Sequence, residues 1–153
     1  MKTLTLIILV LTSLAVKSQT YPSYGPEIDV TINGLTVDAM EPFISDDENY
    51  LFFNNLNSGG TTKLFYATKV TDSTFNYVGE LNGTNQLMQP YLDGVADMDS
   101  TNNFYWTSTR DYPTDLDNLF YGKFNAGNVT KIGRVRGNFN KNILGWLVMD
   151  HGI

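Results

Sequence analysis

The feature of this chain that most restricts its fold is an aromatic strand pattern that occurs twice. Asp46–Asn55 consists of an acidic turn, then bulky residues, then small polar ones, and Asp99–Ser108 repeats that order at an offset of 53 residues. Farther along, Lys63–Ala67 and Asn118–Gly122 both place Leu-Phe-Tyr between a polar and a small residue. This recurrence predicts two copies of one structural unit.

Each copy is expected to hold further strands on either side of this pattern. Glu41–Phe43 precedes the first turn, and Gln89–Tyr91 corresponds to it in the second copy, with a short insertion before the turn. A fourth strand ends each copy, at Phe75–Glu80 and at Val129–Val135. Four strands in roughly 40–50 residues is the size of a propeller blade.

The rest of the sequence is typical of an all-β protein. Its apolar segments are short, rich in aromatic and β-branched residues, and separated by clusters of Asn, Asp, Gly and Ser, with almost no helical periodicity. The predicted strands are Ile28–Ile32, Met40–Ile44, Tyr50–Asn54, Lys63–Thr68, Phe75–Glu80, Gln89–Leu92, Phe104–Ser108, Asn118–Phe124 and Val129–Val135, with another starting around Trp146–Met149.

The predicted fold is therefore all-β, with four-stranded antiparallel propeller blades forming an incomplete, open propeller. Sheets that are apolar on both faces have to stack in order to bury Leu51, Phe53, Phe104 and Trp106. The alternative is a β-sandwich whose strands are similar by chance. The expected divisions are a signal peptide at 1–18, an extended lead-in at 19–26 and a partial propeller at 27–153, with blades at about 40–84 and 88–137 and a third starting at 144–153.

Residues 41–53, Glu-Pro-Phe-Ile-Ser-Asp-Asp-Glu-Asn-Tyr-Leu-Phe-Phe, resemble the WD40-like (PD40) repeat of TolB-type propellers. Thr62–Thr68 is similar to the strand that follows in that family, and the second copy matches more loosely. The family's Pro-Asp-Gly turn is replaced here by Asp46-Asp47-Glu48, so we expect Asn49 to adopt the left-handed conformation that glycine usually takes. The resemblance implies a blade fold and an interaction scaffold.

The resemblance also implies more blades than this sequence contains. Propellers usually carry about four to eight blades, whereas Asp150–Ile153 aligns with Glu41–Ile44 as the start of a third. Ile28–Ile32 looks like the outer strand that closes the last blade of a ring. The expectation is a propeller truncated to about two blades, and the alternative is a half-ring that pairs with another chain.

The first residues are typical of a secretory signal. Lys2 gives a positive start, Leu4–Val16 is mostly apolar, and Val16 and Ser18 suit the small positions before a cleavage site. The apolar run is shorter than the roughly 20 residues of a membrane span. We expect cleavage before Gln19 and a secreted or periplasmic product, and an uncleaved anchor is the alternative.

The charge and the absence of cysteine exclude several classes of function. The chain has 10 basic and 16 acidic residues, and loss of the signal peptide removes two lysines. Such an acidic surface repels phosphate backbones, so nucleic-acid binding is excluded. With no cysteine, the chain cannot form a disulfide framework, a thiolate metal site or a Cys nucleophile.

The candidate binding residues are Glu41, at the start of a predicted inner strand, and Arg110, Asp111 and Tyr112, in a predicted exposed loop. Arginine and aromatic residues of this kind are common in binding hot spots. No catalytic residue and no cofactor is assigned. Asp97 with Asp99, and Asp115 with Asp117, are weak candidates for a Ca²⁺ site, and turn capping is the simpler role for such carboxylates.

The function expected from the sequence is that of an exported, non-catalytic binding module whose partner is a protein or an envelope component. The first alternative is a glycan-binding or degenerate glycoside-hydrolase-like propeller with Glu41 as its acid, and the second is a truncated product without function. Exposed blade faces also leave self-association open.

Overall fold

The computed structural model describes residues 24–57, 61–85, 91–111, 114 and 117–137. Within these residues the chain forms nine strands and no helix, in one sheet of five strands and one of four. The prediction of an all-β chain is confirmed. The signal segment 1–18, Tyr112, Asp115, Trp146–Met149 and the third blade expected at 144–153 lie outside the described residues.

The first sheet has the strand order β1-β5-β4-β3-β2. Its strands are β1 (Thr31–Asn33), β2 (Met40–Ile44), β3 (Tyr50–Asn54), β4 (Leu64–Thr71) and β5 (Thr74–Glu80). The second sheet has the order β6-β7-β8-β9. Its strands are β6 (Asp93–Met98), β7 (Asn103–Ser108), β8 (Leu119–Asn125) and β9 (Asn128–Arg134). Strands β2–β5 and β6–β9 are thus two antiparallel meanders of four strands.

Cross-strand pairing shows that the two meanders share one register. The pairs in the first sheet are Leu51 with Ala67, Phe52 with Tyr66, and Phe53 with Phe65. The corresponding pairs in the second sheet are Phe104 with Gly122, Tyr105 with Tyr121, and Trp106 with Phe120. Because a slip of one residue would turn every side chain to the other face of a strand, this agreement confirms the repeat read from the sequence.

The two sheets stack so that equivalent faces of the two repeats point the same way. Phe52 faces the second sheet, with ring centroids 5.0 Å from Phe104 and 5.2 Å from Phe124. Its counterpart Tyr105 alternates with the buried Phe104 and Trp106 and therefore points away from the first sheet. Equivalent residues thus face the same way along the stack, whereas two sheets related by a two-fold axis would turn equivalent faces toward each other.

Both faces of the first sheet are apolar, and both are buried. The cluster between the sheets is centred on Phe52, Phe104, Trp106 and Phe124. A second cluster on the opposite face contains Leu51, Phe53, Phe65, Ala67 and Phe75, with Ile32 and Val37 packed against it. The expectation that this sheet has two apolar faces is confirmed, and β1 with the loop that follows it contributes to covering the outer one.

The inner strand of the second sheet lies later in the chain than predicted. It spans Asp93–Met98, whereas the sequence pattern indicated Gln89–Leu92. The counterpart of Glu41 is Val95, since both residues have a positive φ, 51° and 55°, at matching register shifts. Because both strands contain this β-bulge, Val95 occupies the position of Glu41 although the two side chains have nothing in common. The alignment of Glu41–Phe43 with Gln89–Tyr91 was therefore wrong.

Two further expectations are corrected by backbone geometry. The predicted strand Ile28–Ile32 overlaps β1, which among the described residues pairs in parallel with β5 as a fifth strand of the first sheet, where the expectation was an outer strand of a separate last blade. In the first turn Glu48 adopts the left-handed conformation with φ 59°, whereas in the second turn Asn102, the counterpart of Asn49, does so with φ 64°. Asn49, the residue expected in that role, instead donates its backbone N–H and its side-chain amide to Asp47.

Because equivalent faces point the same way, substitutions at equivalent positions of the two repeats should lower the free energy of unfolding by different amounts. Phe52→Ala removes a fully buried ring from between the sheets and should lower the free energy of unfolding by about 3–5 kcal/mol. Tyr105→Ala, at the equivalent position on the outer face, should cost roughly 1 kcal/mol. Urea unfolding followed by tryptophan fluorescence measures both, and equal losses would contradict the same-direction arrangement.

Candidate functional site

Arg110, which follows β7 of the second sheet, is the centre of a buried polar cluster. Its guanidinium donates to the carboxylate of Asp93 at 3.0 Å, to the backbone carbonyl of Thr84 at 2.6 Å and to the hydroxyl of Ser108 at 2.9 Å. The Arg110 side chain is 13% exposed and that of Asp93 is 1% exposed. A buried carboxylate needs such a partner, because an unpaired charge is costly to hold away from water.

Aromatic rings enclose the same guanidinium. It lies 4.5 Å from the ring centroid of Phe120 and 5.4 Å from that of Trp106, in the range of cation–π attraction. The expectation that Arg110 projects from an exposed loop is therefore wrong. Since Thr84 follows the first sheet and Asp93 starts β6, Arg110 ties the linker between the sheets to the second sheet.

Asp111 lies beside this cluster and is more exposed. Its carboxylate accepts a hydrogen bond from the guanidinium of Arg134, which also lies over the ring of Phe120. The Asp111 side chain is 44% exposed, so a carboxylate oxygen faces solvent at the rim of the second sheet. Tyr112, the third member of the predicted group, lies outside the described residues.

The turn carboxylates are held by their own loops. Asp99 accepts hydrogen bonds from the backbone N–H groups of Thr101 and Asn103, at 2.9 and 3.0 Å, and from both of their side chains. These bonds, led by that from the Asn103 backbone, lower the pKa of Asp99 from 3.8 to about 2. In the first turn, the hydroxyl of Ser45 and the amides of Asn49 lower the pKa of Asp47 in the same manner.

The two turns line one cleft of about 410 Å³, with Asp46 and Asp47 on one side and Asp99, Ser100 and Asn102 on the other. Among the described residues, no group of three or more His, Cys, Asp or Glu side chains is arranged to hold a metal ion. Asp97, which the sequence analysis grouped with Asp99 as a calcium candidate, points away from the first sheet and accepts a hydrogen bond from the N–H of Met98. Its carboxylate therefore does not join that of Asp99 in one site.

Glu41 is exposed and occupies the β-bulge of the edge strand β2. The structure thus separates the candidates of the sequence analysis. Glu41 lies on the first sheet, Asp111 lies at the rim of the second sheet, and Arg110 is enclosed beneath that rim. They do not form one site.

One surface carries none of the candidate binding residues Glu41, Arg110 and Asp111, and it is the side of the second sheet that faces away from the first. We call it the front face, and it comprises Asp97, Asn103, Tyr105, Thr107, Leu119, Tyr121 and Lys123. Each alternates along its strand with a residue buried against the first sheet. The sequence repeat could have indicated this surface, because Tyr105 and Tyr121 are the counterparts of Phe52 and Tyr66, which lie at the interface between the sheets.

No protein-family model matches this chain, and no curated protein or solved structure matches it either. Within the described ranges, no helix has the length and apolarity needed to cross a membrane.

The Arg110 cluster predicts a large loss of stability when its cation is removed. Arg110→Ala leaves Asp93 buried without that partner and should lower the free energy of unfolding by about 3–5 kcal/mol. Lys63→Ala, which removes the more exposed ion pair with Glu80, is the control and should cost less than about 1 kcal/mol. A loss for Arg110→Ala no larger than that of the control in thermal unfolding would show that the cluster is not structural.

The turn geometry predicts a pH dependence of stability. The pKa of Asp99 is lower in the folded chain than in the unfolded one, so its contribution is complete above pH 4 and is lost as the pH falls toward about 2. Asp99→Asn should flatten the decline of Tm over this range. Asp29→Asn removes an exposed carboxylate outside both turns and should leave the decline unchanged, and identical profiles for all three proteins would refute the assignment.

Proposed function

We propose that this chain is an exported, non-catalytic interaction module built of propeller-type blades. The observation that carries the proposal is the same-direction stacking of two repeats, which buries the faces between the sheets and leaves Tyr105 and Tyr121 on the side of the second sheet that faces away from the first. Loops and faces of rigid β scaffolds are common binding surfaces. On this proposal the partner is a protein or another component of the cell envelope.

The blade assignment rests on the repeat and on the resemblance to the WD40-like repeats of TolB-type propellers. Stacked four-stranded meanders that share one register and one direction are what neighbouring blades require. A parallel bridge between Asn82 and Asn128 holds the linker of the first sheet against the outer strand of the second. This bridge is equivalent to that of Thr31 with Thr74 in the first sheet, so each unit begins with a segment paired to its own outer strand.

The two turn carboxylates are unsuited to serve as the proton donor of a glycoside hydrolase. A glycoside hydrolase needs an acid whose pKa is raised so that it donates a proton at neutral pH. Asp47 and Asp99 have lowered pKa values because they accept several hydrogen bonds each. They are therefore suited to fix the turns and unsuited to protonate a leaving group.

Glu41 gives the test that separates a binding module from a degenerate hydrolase. The purified chain should show no turnover of uncharged or acidic polysaccharides, and Glu41→Ala should bind an envelope partner, identified by crosslinking, as tightly as the original chain does. Turnover by the chain that disappears in Glu41→Ala would contradict the proposal. Retained partner binding with no turnover in either protein would support it.

Export is part of the proposal and has its own measurement. The proposed cleavage before Gln19 predicts that the protein recovered outside the cytoplasm begins at Gln19. Intact-mass spectrometry of the recovered protein reads this directly. A cytoplasmic product that retains Lys2 and Lys17 would contradict export.

A further inference from the structure

The side chain of Tyr121 lies against Gly133 in the outer strand of the second sheet. A Cβ built on Gly133 would lie 2.7 to 2.8 Å from two ring carbons and the hydroxyl oxygen of Tyr121, so the glycine provides the space that this end of the side chain occupies. Tyr121 pairs with Gly133 across β8 and β9 and is nevertheless 43% exposed. Part of the Tyr121 side chain therefore packs on the backbone of β9, while the residue as a whole remains exposed to solvent.

Comparison with the first sheet shows how the front face differs from a surface that receives a blade. In the first sheet the corresponding positions hold Phe43 and Tyr50, which pack against the cluster between the sheets. In the second sheet these positions hold Asp97 and Asn103, whereas Tyr105 and Tyr121 remain aromatic. The front face thus keeps its rings and surrounds them with hydrogen-bonding groups.

The front face is also nearly neutral in a strongly acidic chain. Its two charges are those of Asp97 and Lys123, which have opposite signs, while the whole chain carries a net charge of −6. The ammonium of Lys123 donates to the carbonyl of Thr101 and lies 3.5 Å from the side-chain oxygen of Asn103. A ligand on this face meets little net charge, and a polyanion would be repelled by the rest of the molecule.

These features select among possible occupants. An apolar sheet would bury the Asp97 carboxylate without water, which is costly unless the sheet supplies a partner. A basic segment would meet Lys123 on the same face. An uncharged ligand with apolar C–H faces and many hydroxyls suits both the exposed tyrosine and the polar groups around it, and a sugar has that chemistry.

We propose that the front face binds an uncharged glycan, with a sugar ring stacked on Tyr121 and its neighbour on or beside Tyr105. Asp97 and Thr107 then exchange hydrogen bonds with the hydroxyls at the edge of the stacked sugars. This proposal rests on the proposed function as an interaction module and names the ligand class of that module.

The test is a calorimetric titration of the full chain with uncharged hexasaccharides of glucose, mannose and xylose. At least one of them should bind saturably, and Tyr121→Ala should weaken that binding by about ten-fold or more. Tyr121→Phe retains the ring and should bind within about three-fold of the original chain. Tyr24→Ala removes an exposed tyrosine outside both sheets and should leave the affinity unchanged.

Circular dichroism of each variant confirms that the fold is retained before its affinity is compared. Failure of all three neutral hexasaccharides to bind, or binding that is the same in Tyr121→Ala, would overturn the glycan assignment. Tighter binding of hexalysine or of hexagalacturonate than of any neutral sugar would also overturn it. The crosslinked envelope partner is assayed separately with Tyr121→Ala, so that loss of the glycan proposal and loss of the interaction module give different results.

Discussion

A β-sheet with rings on both faces cannot bury them by itself, and the rest of this structure depends on that constraint. Phe52 and Phe53 are adjacent in β3 and therefore point to opposite sides of the first sheet, yet both are fully buried. The second sheet covers Phe52, and the segment after β1 contributes to covering the side of Phe53. The two repeats share one strand pattern, so each sheet has the same two faces. The sheets stack with these equivalent faces pointing the same way.

The polar groups that accompany this packing mainly serve the fold. Asp47 and Asp99 fix the equivalent turns of the two repeats, and Arg110 joins the linker at Thr84 to the start of β6 at Asp93. These groups have the residue types of a catalytic or binding site, but their hydrogen bonds are directed to their own loops and strands. The front face differs in residue type from the equivalent face of the first sheet, since Asp97 and Asn103 stand where the first repeat has Phe43 and Tyr50.

The sequence predicted the strands and their register well because both depend on local alternation and on the recurrence of Leu-Phe-Tyr. It misplaced the inner strand of the second sheet, because the bulge that makes Val95 equivalent to Glu41 is a property of the backbone that unrelated side chains can adopt. It also placed Arg110 in solvent. The buried partner Asp93 lies 17 residues away in the sequence, and nothing in the local pattern indicates that the two side chains meet.

The central claim, that both repeats face the same way so that the front face is not buried between the two described sheets, is tested most directly by thiol labelling. The chain has no cysteine, so single variants at the equivalent positions Asn54 and Thr107 give a clean comparison. Asn54 is buried and accepts a hydrogen bond from the N–H of Val95 in the second sheet, whereas Thr107 lies on the front face. In the native protein, Thr107→Cys should react rapidly with a maleimide and Asn54→Cys should react only upon unfolding. Equal protection of the two thiols, or faster labelling at position 54, would contradict the account.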